Sequence, residues 1–189
     1  MIFIGVAAVI VLLLVVIATR PERYHLERST TIGAPPEVVF AQVNDFHAWT
    51  AWSPWEKVDP ELKRSYDGPA QGVGAHYAWS GNAKAGAGNM TILSSQQPTH
   101  VEITIQFLKP FKNVAQATFT FVPSAGGTRV TWAMDGKNNF LGKAFSLVAN
   151  MDKLVGGEFE KGLAAMQTVC EGRSVNVQRP AGGGSLANN

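Results

Sequence analysis

The chain has 189 residues, enough for one domain or for two only if both are small. It carries 16 basic and 14 acidic side chains, and residues 24–170 contain 12 of each. A neutral domain lacks the positive field that attracts phosphate backbones, which argues against nucleic acid as a partner. The single cysteine, Cys170, excludes an internal disulfide and a metal site built from several thiolates.

The first 19 residues predict a membrane anchor. Met1–Thr19 contains no charged residue, and a helix of this length is about 28 Å long, close to the hydrocarbon thickness of a bilayer. A cleaved signal peptide is the alternative, but the basic n-region and the small-residue cleavage site are both missing. Arg20, Arg23 and Arg28 follow the apolar run, and by the positive-inside bias they place the domain in the cytoplasm. A single-pass protein of a bacterial inner membrane fits this arrangement.

After a stalk at residues 20–23, the pattern predicts a strand, a short helix and a loop. His25–Ile32 alternates in polarity and is typical of a strand. Pro36 suits the first turn of an amphipathic helix that ends near Asn44. Residues 46–60 form an aromatic-rich loop with a turn or two of helix at most.

Turn signals roughly every 10 to 14 residues then predict a meander of antiparallel strands. The predicted strands are Leu62–Tyr66, Ala75–Ser80, Asn89–Ser95, His100–Leu108, Val114–Val122 and Thr128–Met134. The fourth and fifth of these alternate apolar with polar residues, so one face of the sheet is apolar and the other is wet.

Beyond the last strand the hydrophobic period becomes that of a helix. Apolar residues recur at helical spacing as far as Cys170, which predicts a long helix over Asn139–Cys170 whose stripe covers the sheet. Gly156 and Gly157 interrupt it at a cost of about 1 kcal/mol each relative to Ala, and they predict a kink or a close backbone approach. Residues 171–189 are rich in Gly, Ser and Asn and predict a flexible tail.

The order of elements predicts an α+β fold, in which one curved antiparallel sheet surrounds a long C-terminal helix and one N-terminal transmembrane helix precedes them. The stretches 28–40, 52–55 and 138–143 resemble the helix-grip superfamily, which includes START lipid-transfer domains, polyketide cyclases and dehydratases, Bet v 1-like proteins and chaperone-activator domains. The resemblance covers about residues 24–170 and implies a helix-grip domain with an apolar cavity between sheet and helix. Periodicity alone equally allows a filled core.

The cavity that this resemblance implies would be lined from both the sheet and the helix. The predicted ligand-binding residues are Tyr77, Trp79, Ile103, Ile105, Phe107, Phe119, Trp132, Met134, Phe145 and Phe159. Tyr77 and Trp79 share a strand face, where they either orient a mostly apolar ligand or form a half-buried pair in the core. These features favour a membrane-tethered module that binds a small hydrophobic or lipid-like ligand.

Two further features each allow two interpretations. Trp49, Trp52 and Trp55 either form a lid or membrane-facing rim, or pack their loop against the short helix. Asp152 either points into the cavity, where burial raises its pKa, or is exposed by a rotation of the helix stripe that buries Met151. Unpaired buried carboxylates are rare, which favours the exposed position.

Motifs for chemistry are sparse. The four histidines lack metal-ligand spacing, so the sequence predicts no metal site and no cofactor; they are His25, His47, His76 and His100. Cys170 lies on the helix stripe and is interpreted as a small core residue rather than a nucleophile.

Two other functions remain open at this stage. A cyclase- or dehydratase-like enzyme needs a convergent pair of titratable groups, and the sequence offers only isolated ones such as Asp67, His76 and Asp152, so no catalytic residue is named. A protein-interaction or co-chaperone domain would use the outer surface instead. A void above ~300 Å³ in the interior of the domain favours binding or catalysis, whereas a packed core favours interaction.

Overall fold

The computed structural model describes residues 2–147 and 150–177. Helix α1 covers Ile2–Ala18, strand β1 Arg23–Ile32 and helix α2 Pro36–Asn44, and two short 3₁₀ helices follow at Phe46–Ala51 and Pro54–Lys57. The remaining strands are β2 Lys63–Asp67, β3 His76–Ser80, β4 Ala87–Gln96, β5 His100–Lys109, β6 Asn113–Ser124 and β7 Gly127–Lys137. Helices α3 Phe140–Phe145 and α4 Met151–Val177 complete the chain.

The seven strands form one antiparallel sheet in the order β1-β7-β6-β5-β4-β3-β2. The first and last strands are neighbours, and Arg23 of β1 lies opposite Lys137 of β7. Helix α4 contacts β1, and α2 contacts β5, β6 and β7. The predicted α+β helix-grip architecture and all seven predicted strands are confirmed, with ends that differ by three residues at most.

The core lies between the apolar face of the sheet and helices α2 and α4. Alternate residues of β5 are buried, as the period-two pattern predicts, namely Val101, Ile103 and Ile105. Residues at helical spacing on α4 meet them from the other side, namely Phe159, Leu163, Met166 and Cys170. The interpretation of Cys170 as a core residue is confirmed, because its side chain is fully buried.

Tryptophans of the loop at residues 46–60 cap the C-terminal end of α2. The last carbonyls of a helix have no partners within it. Here the indole Nε1 of Trp49 donates to the carbonyl of Val43 at 3.1 Å, and that of Trp52 donates to the carbonyl of Gln42 at 3.0 Å. Packing against α2 is therefore the correct interpretation for both tryptophans, whereas Trp55 stays 39% exposed.

The structure divides the predicted C-terminal helix in two, so the prediction of one helix over Asn139–Cys170 is wrong at this point. Helix α3 ends at Phe145 and α4 begins at Met151. The side chain of Asn150 accepts a hydrogen bond from the backbone N–H of Lys153 at 3.1 Å, in the manner of an N-cap residue. An Asn side chain that binds the following backbone competes with a continuous helix and starts a new one.

Helix α4 also continues past Cys170, where the sequence predicts a flexible tail. The Glu171 carboxylate accepts from the backbone N–H of Gly33 at 3.0 Å and from Nε2 of Gln167 at 2.8 Å, which holds the next turn against the domain. Residues 171–177 are thus helical. Residues 178–189 lie outside the described residues, and the tail stays a prediction there.

The N-terminal helix ends one residue earlier than the sequence predicts, at Ala18 instead of Thr19. Helix α1 has 17 residues, Ile2–Ala18. Over residues 2–147 and 150–177, no helix is both long and apolar enough to cross a membrane. The transmembrane helix predicted over Met1–Thr19 is therefore not found, and the described helix ends at Ala18, with Thr19 in a turn.

Candidate functional site

An open pocket of about 500 Å³ lies at the end of the sheet where β1 begins and β7 ends. Its lining comes from the stalk and first residues of β1, from the residue after β7, and from the junction of α3 with α4. These residues are Arg20, Pro21, Arg23, Tyr24, Leu26, Asn138, Ser146, Leu147, Asn150 and Asp152. Because Leu26 is also part of the buried core, the pocket leads toward the space between the sheet and α4.

Strand alternation aims three side chains of β1 toward α4. Tyr24, Leu26 and Arg28 are two residues apart and share the inner face of the strand. Tyr24 pairs with Gly136 of β7, and its ring occupies the place that a Cβ there would take. Burial, with a smaller effect from the Asp135 carboxylate, raises the pKa of Tyr24, so the phenol in the pocket is neutral.

Asp152, which lines the pocket on the side of α4, forms an ion pair with Arg28. Arg28 donates through Nη1 and Nη2 to the two carboxylate oxygens of Asp152, both at 3.0 Å, and through Nε to Glu160 at 2.7 Å. A Cβ on Gly156 would overlap the Arg28 guanidinium, so the group that approaches Gly156 is a side chain and not the backbone that the sequence predicts at the glycine pair.

Asp152 occupies the exposed position that the sequence favours, while the side chain of Met151, which the same rotation would bury, lies outside what the structure describes. Its side chain is 58% exposed, and the hydrogen bonds from Arg28 lower its pKa. A raised pKa in a buried cavity, the alternative for this residue, is wrong. The carboxylate is ionised and already neutralised by its partner.

Two guanidinium groups of the pocket, those of Arg20 and Arg23, have no such partner. Among the described residues, neither side chain makes a hydrogen bond or an ion pair. Glu22, between them, lies 3.8 Å from Lys137 instead. The pocket therefore combines an apolar floor with two cations that are available to a carboxylate or phosphate group.

The predicted cavity residues lie mostly in the packed interior. Seven of them are buried, namely Tyr77, Ile103, Ile105, Phe119, Trp132, Met134 and Phe159, while Trp79 and Phe107 are partly buried against the same core. The side chain of Phe145 lies outside what the structure describes. Of the described side chains in this set, none lines the 500 Å³ pocket, and their contact with a ligand stays a prediction.

Tyr77 and Trp79 direct their polar atoms at protein groups. The Tyr77 hydroxyl donates to the Glu56 carboxylate at 2.8 Å, and Trp79 Nε1 donates to the Ala85 carbonyl at 3.1 Å. The same carboxylate binds Nε of Arg64 at 2.5 Å. Burial first, and then the Glu56 hydrogen bond, raise the pKa of Tyr77, so its hydroxyl is a fixed donor.

A smaller pocket of about 260 Å³ lies at the opposite end of the sheet, and His47, Asp67 and His76 are among its lining residues. Asp67 and His76 face each other across β2 and β3, so the structure brings together two titratable groups that are isolated in the sequence. His47 Nδ1 lies 2.9 Å from Asp45, and His76 Nδ1 lies 2.9 Å from the Thr91 hydroxyl. In the part of the chain that is described, no group of three acidic, His or Cys side chains is placed to hold a metal ion.

Sequence reasoning missed the larger pocket. In the sequence, Arg20 and Arg23 indicate only membrane topology, and the apolar spacing predicts that Leu147 and Asn150 lie inside a continuous helix. Asn150 is a preferred N-cap residue, and reading it as a helix start would have separated α3 from α4.

Comparisons with known proteins place these observations in context. The family model described as polyketide cyclase/dehydrase and lipid transport matches residues 23–171. The comparison with curated proteins found no match.

Solved structures of similar shape come from several sources. A protein from Chromobacterium violaceum is 17% identical over 80% of this chain and 99% of its own, with a TM-score of 0.56. A protein of unknown function from Staphylococcus aureus is 15% identical over 82% and 97%, with a TM-score of 0.60. The di-domain ARO/CYC protein StfQ of the steffimycin biosynthetic pathway is 8% identical over 82% and 53%, with a TM-score of 0.60. At such low identities these similarities show the fold alone.

Proposed function

This chain belongs to the family described as polyketide cyclase/dehydrase and lipid transport, and we propose that it binds a lipid-like ligand with an anionic head group in the pocket between β1, β7 and the α3–α4 junction. The observation that carries the proposal is a space of about 500 Å³ that two unpaired arginines, Arg20 and Arg23, share with apolar side chains. Small-molecule sites typically measure about 300–1,000 Å³ and combine apolar walls with a few polar groups.

The apolar part of the ligand would lie against Leu26, Leu147 and the ring of Tyr24. Removing its surface from water would favour binding by about 25 cal/mol per Å² of apolar area. Leu26 continues into the core, so this wall leads from the pocket to the inner face of the sheet.

The head group would lie between Arg20 and Arg23. Arginine binds carboxylate and phosphate with paired hydrogen bonds, which are among the strongest in proteins. Asp152, the acidic residue of the lining, is paired with Arg28 and would not repel an anion as an isolated carboxylate would.

We also propose that α1 attaches the protein to a membrane, at the cytoplasmic face of a bacterial inner membrane. The described side chains from Ile10 to Val16 are apolar and 39–65% exposed, and apolar patches of this kind mark contacts with lipid or with other proteins. Arg20 and Arg23 directly follow the helix and favour the cytoplasmic side. A ligand site beside the anchor would have its lipid source close at hand.

Ligand binding is tested on the full chain, purified in an amphipathic polymer. Native mass spectrometry measures saturable binding of a long-chain fatty acid against the matching fatty alcohol, which lacks the charge. We expect the acid to bind at least about tenfold more tightly, because the two arginines pair with a carboxylate. Arg20→Ala with Arg23→Ala should remove that preference.

The matched control is Arg129→Ala, which removes an exposed arginine at the other end of β7 and should leave binding unchanged. Leu147→Trp should fill the pocket and weaken binding of both ligands. Equal affinity for acid and alcohol, or equal losses in the arginine variants and the control, would reject this site.

Membrane attachment has its own test. Fractionation of cells should recover the full chain with the membrane. Protease added to spheroplasts should leave the domain intact. Recovery in the soluble fraction would reject attachment, and digestion from outside would reject the cytoplasmic side.

A further inference from the structure

The loop between β5 and β6 presents apolar side chains to solvent. In this hairpin tip, residues 108–114, Leu108 is 47% exposed, Phe111 59% and Val114 58%. Leu108 of β5 and Val114 of β6 occupy positions that alternate with the buried residues of their strands. Their side chains therefore lie on the face of the sheet that points away from the helices. Phe111 lies between the strands in the turn itself. Phe111 thus leaves more than half of its side chain exposed to solvent at the end of the hairpin.

Lysines flank this aromatic residue on both sides. Lys109 and Lys112 are exposed, and among the described residues neither forms a salt bridge. An apolar tip with flanking cations matches the boundary of a bilayer, where apolar groups enter the acyl region and cations stay with the head groups.

The hairpin tip lies at the same end of the sheet as the stalk that follows α1. Arg23 pairs with Lys137, Gly136 pairs with Ala115, and Asn113 pairs with Phe107, so one row of residues runs from β1 to β5. Strands are about 4.8 Å apart, which places the tip about 10–14 Å from the start of β1.

Charge at this end of the sheet is positive although the chain as a whole is nearly neutral. The segments 20–23, 108–114 and 135–147 contain six basic and two acidic residues, whereas the full chain has a net charge of +2. The rest of the molecule is therefore slightly acidic. Phe140, at the start of α3, adds a further exposed aromatic side chain at this end.

We propose that the hairpin tip inserts into the anionic surface of a lipid bilayer and forms a second membrane contact beside α1. The tip lies about 10–14 Å from the start of β1, and a second contact there restrains the orientation of the domain, which one helix on a stalk does not. The opening of the 500 Å³ pocket, which Arg20 and Arg23 line, is then held next to the head groups. This contact is independent of ligand binding in the pocket and can fail separately from it.

The test places an environment-sensitive NBD fluorophore on Phe111→Cys in the full chain. The native Cys170 is buried, so the wild-type chain is the labelling blank. The control is Val73→Cys, an exposed apolar residue in the β2–β3 loop at the opposite end of the sheet. Both proteins are reconstituted into vesicles of phosphatidylcholine alone or with phosphatidylglycerol.

We expect the label at position 111 to gain at least about twofold in intensity and to be quenched by doxyl-labelled lipid when phosphatidylglycerol is present, because the lysines attract the anionic surface. Lys109→Gln with Lys112→Gln should reduce this gain, and the label at position 73 should not respond. An unresponsive label at 111, an equal response at 73, or the same response in phosphatidylcholine alone would overturn the proposal. Formation of a dimer through the tip, detected as self-quenching between labels without any quenching by lipid, would also overturn it.

Discussion

The rings of Trp132 and Phe159 stack with their centroids 4.0 Å apart and their planes 6° from parallel. Trp132 comes from β7 and Phe159 from α4, so this contact joins the sheet to the helix at the place where the helix-grip resemblance implies a cavity. Gly162 lets the two elements approach, because a Cβ there would lie 2.9 Å from the Trp132 ring. At this point the space is filled by protein side chains, and the pocket lies nearer the end of the sheet.

Replacing Phe159 tests this packing. Phe159→Ala should lower the free energy of unfolding by roughly 3–5 kcal/mol, the usual cost of removing a buried phenyl ring. Leu154→Ala, at an exposed position of the same helix, should change it by less than about 0.5 kcal/mol. Urea unfolding of both variants measures the difference. A loss below ~1 kcal/mol for Phe159→Ala would mean that the ring faces free space rather than packed neighbours.

Two buried tryptophans, Trp52 and Trp132, differ in one hydrogen bond. Trp52 donates to the Gln42 carbonyl, whereas Trp132 Nε1 is buried without a partner. Trp52→Phe should lower the free energy of unfolding by about 1–3 kcal/mol more than Trp132→Phe, because it leaves a helix carbonyl unpaired while the second change removes an unsatisfied donor. Thermal unfolding of the two variants compares them directly. Equal losses would indicate that a group such as bound water satisfies Trp132.

The sheet could be predicted because its signals are local. The alternation of Val101, Ile103 and Ile105 with polar residues specifies a half-buried strand without knowledge of its partners. The break between α3 and α4 is harder to predict from the sequence, because the apolar spacing continues on both sides of it. Only Asn150 marks the start of α4. A hydrophobic stripe reports which face is buried, but not whether the helix that carries it is continuous.

The site could not be predicted in the same way, because its parts are far apart in sequence. Arg28 and Asp152 are 124 residues apart, and only the packing of α4 on β1 brings them together. Gly156 indicates a close approach, but not which side chain approaches. The alternating pattern of the strands correctly predicts which residues of the inner face are buried. The pocket, however, lies at the edge of that core, at Leu26 and the stalk.

The neighbouring glycines of α4 should respond differently to alanine. Gly157 has open space where a Cβ would be, so Gly157→Ala should raise the free energy of unfolding by about 0.5–1 kcal/mol through helix propensity. Gly156→Ala gains the same propensity but displaces the Arg28 guanidinium from Asp152, and we expect a smaller gain or a loss. Urea unfolding of both variants gives the comparison. Equal stabilisation would show that Arg28 has another position of similar energy.

His25 provides a pH-dependent contact at the start of β1. Its Nδ1 lies 2.8 Å from the Asp135 carboxylate across the β1–β7 pair. This hydrogen bond, with smaller effects from the charges of Asp135 and Glu27, raises the pKa of His25 above its ordinary value of about 6.5. The protonated form is therefore favoured in the folded state.

Because its pKa is raised in the folded state, His25 makes the stability of the protein depend on pH. A raised pKa means that the folded protein holds the proton more tightly, so the contribution is fully present below pH ~6.5 and is lost as the pH rises through the folded pKa. NMR titration should place the His25 pKa above 6.5, and Asp135→Asn should return it toward that value. When the pH is raised from 5.5 to 8.5, the unfolding midpoint should decrease in both proteins. The decrease should be larger for wild type than for His25→Gln. A His25 pKa at or below ~6.5, unchanged by Asp135→Asn, would contradict the ion pair, since the half-exposed ring would then titrate as it does in water.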